Sequence, residues 1–170
     1  MAHDALATLR DLTYQGGREA TGALLRSLAT LGRTNALVGQ HIGLNAMSSY
    51  YATKLPRCEQ VFKEGELVLL EGIALAQEAG DRPAGALTLS CLAELLYCAA
   101  SANTHGARAL VEPHQQGLVS SVAELTRRSI AGSLEAIRIL REDGEGRHAR
   151  NLARIMKVCG AVNRCMLHAA

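Results

Sequence analysis

Apolar positions in this chain recur every three or four residues, in runs interrupted by glycine, proline and short polar stretches. That period is helical, and no stretch shows the alternation of β-branched and polar residues that marks a strand. The pattern predicts an all-α fold: a single-domain bundle of five to six helices spanning residues 1–170. A first helix is expected over Asp4–Gln15, with Leu6, Leu9 and Leu12 inward and Gly16-Gly17 ending it.

One long helix is expected at about 18–54, and its leading feature is a stripe of small residues: Ala29, Gly32, Ala36, Gly39, Gly43 and Ala46. The steps alternate three and four, so on a continuous helix all of them share one face. Glycine inside a helix costs roughly 1 kcal/mol relative to alanine. Close approach of a second helix backbone would offset that loss, because no side chain holds the two apart. Beside the stripe runs a seam with coiled-coil spacing: Leu24, Leu28, Leu31, Asn35, Val38, Ile42 and Asn45. Leu55-Pro56 is expected to end this helix, since proline disfavours a helical residue before it.

The next helix is expected over Cys58–Ala79, with Cys58, Phe62, Gly65, Leu69, Gly72 and Ala76 as its inner line. Gly80 stops it, and Asp81 caps a helix over Pro83–Ala102, where Leu87, Cys91, Leu95 and Cys98 share one side. The stretch Asn103-Thr104-His105-Gly106 reads as a break. A further helix begins near Ala107, with a kink or a short piece around Pro113, and carries a seam of Leu118, Val122, Leu125, Ser129, Gly132 and Ala136. Gly144-Glu145-Gly146 is the clearest loop, and the last helix runs from Arg147 to about His168 with Leu152, Ile155, Cys159, Val162 and Met166 inward.

Composition sharpens this picture. Nearly half the residues are apolar, yet aromatics make up only 3%, with one phenylalanine and no tryptophan. Such a core rests on many thin contacts, and such a surface is poorly suited to stacking nucleobases. A net charge of +2 does not by itself call for a nucleic-acid partner. No run of eighteen apolar residues appears, so no membrane span is expected. The N-terminus lacks the basic region and apolar run of a secretory signal, and none of the five cysteines forms a C-x-x-C pair. Reduced thiols and a cytoplasmic location are the expectation.

Reactive chemistry finds little support. There is no G-x-S-x-G elbow, phosphate-binding loop or dinucleotide fingerprint, and no catalytic residue is assigned. Cys91, Cys98 and His105 follow at intervals of seven, about 10 Å apart along a helix, too far to share one ion. Glu145 and His148 match a single E-x-x-H unit, but that glutamate lies between two glycines and reads as part of a solvated loop. No metal or cofactor is expected. Charge is patterned more clearly. Arg147, Arg150, Arg154 and Lys157 step along one face of the last helix, while Glu59, Glu64, Glu66, Glu71 and Glu78 dominate the helix after Cys58. These are either solvated faces or, for the arginines, a basic patch for an acidic partner, RNA or anionic lipid.

The sequence therefore reads as a non-catalytic helical bundle acting through protein–protein contacts, a scaffold, adaptor or structural subunit. Self-association as a homo-oligomer would use Gly32, Asn35, Gly39, Gly43 and Asn45. One alternative is a small-molecule-binding bundle or enzyme, with a pocket between helices lined by His41, Tyr50, Tyr51, Cys91 and Cys98. The other is an RNA-associated adaptor using the basic face of the last helix.

Overall fold

The computed structural model describes residues 18–45, 51–107 and 114–167. Five helices account for nearly all of them: α1 (Arg18–Asn45), α2 (Tyr51–Glu78), α3 (Arg82–Ala107), α4 (His114–Gly144) and α5 (Ala149–Leu167). No strand occurs among the described residues. The helix expected over Asp4–Gln15 lies outside them.

The expected long helix over 18–54 is corrected. α1 stops at Asn45, and Tyr51 and the residues after it belong to α2, which continues through Pro56 without interruption. Between the two the chain reverses direction, because Gly32 meets Leu69 while Gly43 meets Cys58. The physical reason is burial. Folding back sets the small-residue stripe of α1 against the line Cys58, Phe62, Gly65, Leu69, Gly72 and Ala76, and every member of that line is buried. One continuous rod would leave both faces in water. Burial of a side chain such as Leu69 or Phe62 contributes about 1.5–3 kcal/mol each. The neighbouring seam is less central than its spacing suggests: Leu24 and Leu28 are buried, Leu31, Asn35 and Ile42 are half-buried, and Val38 is exposed.

α3 is the hub, and each of the other four helices packs on it. α2 runs antiparallel to it, with Gly65 against Leu95 and Gly72 against Thr88. α1 runs parallel to it, with Arg33 beside Glu94 and Gly43 against Ala102. By length and composition alone α3 is the one described helix that could cross a membrane, yet 61% of its apolar window is buried inside the bundle. Its C-terminal half also differs from expectation. The stretch from Asn103 to Gly106 does not break the helix, which runs on to Ala107. Thr104 instead bonds the Ala100 carbonyl at 2.8 Å, and Asn103 reaches Ser121 of α4 at 3.4 Å.

Turn chemistry follows the sequence closely at two joints. Gly80, with φ of +66°, ends α2. Asp81 N–H donates to the Ala76 carbonyl and Gly80 N–H to that of Gln77, the paired bonds of a Schellman motif. Asp81 then caps α3 by accepting the Ala84 N–H at 3.0 Å. Gly144, at φ of +131°, ends α4. His148 closes that turn and is not solvated as expected. It is 9% exposed, and its Nε2 lies 2.7 Å from the Asp143 carboxylate.

Candidate interaction surfaces

The glycine stripe is filled from within the chain. A Cβ at Gly32 would overlap the Leu69 side chain, one at Gly39 would lie 2.7 Å from the Phe62 ring, and one at Gly43 would lie 2.5 Å from the Ala102 Cβ. Asn35 sits half-buried in the same contact, its Cβ 2.8 Å from where a Cβ on Gly65 would stand. The side chain of Asn45 lies outside the described residues. Close approach of helices is therefore real, but α2 and α3 occupy the notches at Gly32, Gly39 and Gly43, which present no free surface to a second copy.

The residues suggested for a pocket do not converge. Cys91 and Cys98 are buried on α3, whereas His41 is exposed on α1. Tyr50 and the side chain of Tyr51 lie outside the described residues. The cysteines behave as small apolar groups with inert thiols. Cys58 donates its S–H to the Gly39 carbonyl at 3.2 Å. Burial, with help from Glu59, pushes its thiol up to about 11. Burial, with help from Glu94, pushes Cys98 up to about 12. Burial raises Cys91 too, against the opposing pull of Arg154 and Arg33. Among the described residues no group of three or more His, Cys, Asp or Glu side chains is placed to hold a metal ion.

A cleft of about 420 Å³ lies elsewhere, between the end of α2, the start of α3 and α4, with Ile73, Gln77, Leu89 and Arg138 among its walls. Its charged groups are occupied with one another. Arg82 bonds Glu142 at 2.8 Å, and Arg138 bonds Glu135 at 2.6 Å and Glu142 at 2.5 Å. These are exposed surface pairs and contribute little to stability.

The basic stripe of the last helix divides. Arg150 and Lys157 stand exposed on α5, and Arg147, just before it, lies 3.6 Å from Asp143. Arg154 leaves the solvated face and donates to Ser90 Oγ of α3 at 2.9 Å. The stripe is thus anchored at its middle to the hub helix. From the α1 side, Arg33 lies 3.2 Å from Glu94 of α3. Sequence reasoning overlooked this pair, although a signal was present: Glu94 is the only acidic or basic residue between Pro83 and Asn103. A lone charge inside so apolar a segment needs a partner from outside its own helix. Arg128 of α4 and Glu66 of α2 make a second cross-helix pair that was likewise overlooked.

No protein-family model matches the chain, and neither a curated protein nor a solved structure is significantly similar to it.

Proposed function

We propose that this chain is a non-catalytic helical bundle that acts through protein–protein contacts, as an adaptor or a self-associating structural subunit. The observation that carries the reading is the apolar surface of the α1–α2 hairpin. Val38 is 44% exposed, Leu67 62% and Leu70 44%. Large apolar side chains held on rigid helices lose water favourably when a partner covers them. Because Gly32, Gly39 and Gly43 are occupied internally, self-association would use these exposed apolar side chains instead. The reactive groups, by contrast, are spent on packing: the buried thiols are held in their protonated form, and His148 clasps the α4–α5 turn. Thiols kept in that form suit a reducing, cytoplasmic compartment.

Sedimentation velocity on the wild type and on a Val38→Glu/Leu67→Glu variant tests self-association. The expected outcome is a dimer or larger species at tens of micromolar for the wild type and a folded monomer for the variant. A wild type that stays monomeric across that range, or a variant that associates equally well, overturns this surface as a self-contact.

A further inference from the structure

We infer that the cationic strip where α1 and α5 flank α3 binds an acidic helical segment of a partner protein. This deepens the interaction reading above and rests on it. α1 and α5 both pack on α3, yet among the described residues their backbones stay apart. The gap on the opposite side, between α2 and α4, is different, because the Arg128–Glu66 pair spans it. Arginines stand on both walls of the gap between α1 and α5.

Two guanidinium groups mark the place. Arg33 reaches Glu94 from α1, and Arg154 reaches Ser90 from α5. Ser90 and Glu94 are four residues apart, one turn along the same face of α3. The two arginines therefore converge on one strip, and Cys91 beneath them feels both charges. Helical spacing extends each wall. Arg26 lies seven residues before Arg33, while Arg150 and Lys157 lie four before and three after Arg154. All three are exposed, and none is ion-paired among the described residues. Five cations thus lie along the two walls, against Glu94 on α3, which Arg33 already engages, and Glu19, seven residues before Arg26.

The strip is not purely ionic. Leu37 is 59% exposed on the α1 wall, and Tyr97 is half-buried on the α3 floor. An amphipathic helix bearing carboxylates would match both features. It would place an apolar edge on Leu37 and Tyr97 and neutralise the cations. A nucleic acid would be served worse. Tyr97 is half-buried, so little aromatic surface is offered for stacking, and the chain carries a net charge of only +2.

Fluorescence anisotropy with the 170-residue chain tests the inference. The probe is a labelled peptide of about three heptads, with leucine at the core positions and glutamate elsewhere. Saturable binding is expected, weakening with salt and falling at least about tenfold in an Arg150→Glu/Lys157→Glu variant. Arg127→Glu, an exposed site on α4, should bind like the wild type, and circular dichroism should show all three proteins equally helical. Absence of binding, or equal loss in both variants, overturns the proposal. So does tighter binding of single-stranded DNA of matched charge, or of phosphatidylserine vesicles, that the double substitution abolishes; those outcomes would assign the strip to nucleic acid or membrane. A wild type that self-associates but ignores the peptide rejects this strip and leaves the contact reading standing. A monomer that ignores it rejects both this strip and the self-contact proposed for α1 and α2.

Discussion

The two ends of this bundle solve the same packing problem in opposite ways. Where α1 and α2 meet each other and α3, large side chains fill glycine notches: Leu69 at Gly32, Phe62 at Gly39, Leu95 at Gly65. Where α4 meets α3, no knob fills the notch. Ser129 donates to the Ala93 carbonyl at 2.7 Å, and a Cβ at Gly132 would lie at an ordinary 3.5 Å from Ala93 and Leu89. The first arrangement commits Gly32, Gly39 and Gly65 each to one knob, and an added atom fits only if that knob shifts. The second leaves slack at its own glycine. The same residue type thus has opposite meanings on the two sides of α3.

Adding one methyl group to each side is the most direct way to break the comparison. Gly43→Ala should destabilise by about 2 kcal/mol in urea unfolding, since the new Cβ collides with the Ala102 Cβ and lies 3.2 Å from its Cα, which is backbone and cannot swing aside. Combining it with Ala102→Gly should recover most of that loss; failure to recover would mean that something other than this contact sets the cost.

An intermediate effect should appear in alkali, because Cys58 and Cys98 both lie in the core that α1, α2 and α3 build together. Their folded pKa values, about 11 and about 12, lie above the ordinary thiol value of 9.0. Below pH 9 the thiols are protonated in both states and pH has no effect through them. Above it the unfolded chain releases protons that the folded chain retains, so stability should fall by about 1 kcal/mol per pH unit for each thiol. Cys58→Ala and Cys98→Ala should each flatten that slope between pH 9 and 11, and an unchanged slope would assign it to other groups.

The smallest effect has the opposite sign. Gly132→Ala should stabilise by about 0.5–1 kcal/mol, the ordinary helix gain, with its Cβ in normal contact. A loss of stability there would erase the distinction between the two sides.

These particulars also show how far the sequence could be read. The line Cys58, Phe62, Gly65, Leu69, Gly72 and Ala76 was legible because one apolar period persists along it, and all six are buried. The Asp81 cap and the Gly144 stop were legible because turn chemistry is local. The reversal between Asn45 and Tyr51 was not: the segment Ala-Met-Ser-Ser-Tyr contains neither glycine nor proline, and the reversal is required by burial of distant residues. The glycine stripe announced a flat face without saying what lies on it. The candidate binding strip was half legible. Its cations were visible on the last helix, but Arg154 has the same spacing as its neighbours, and only the position of Ser90 on another helix turns it inward.

The hub position of α3 has a consequence for biogenesis. A segment apolar enough to partition into lipid would be hazardous if it left the ribosome bare. Here the α1–α2 hairpin precedes it in the chain, so a notched cradle is already synthesised when the third helix emerges. Circular permutants that place α3 ahead of that cradle should aggregate during translation even though every native contact remains available to them.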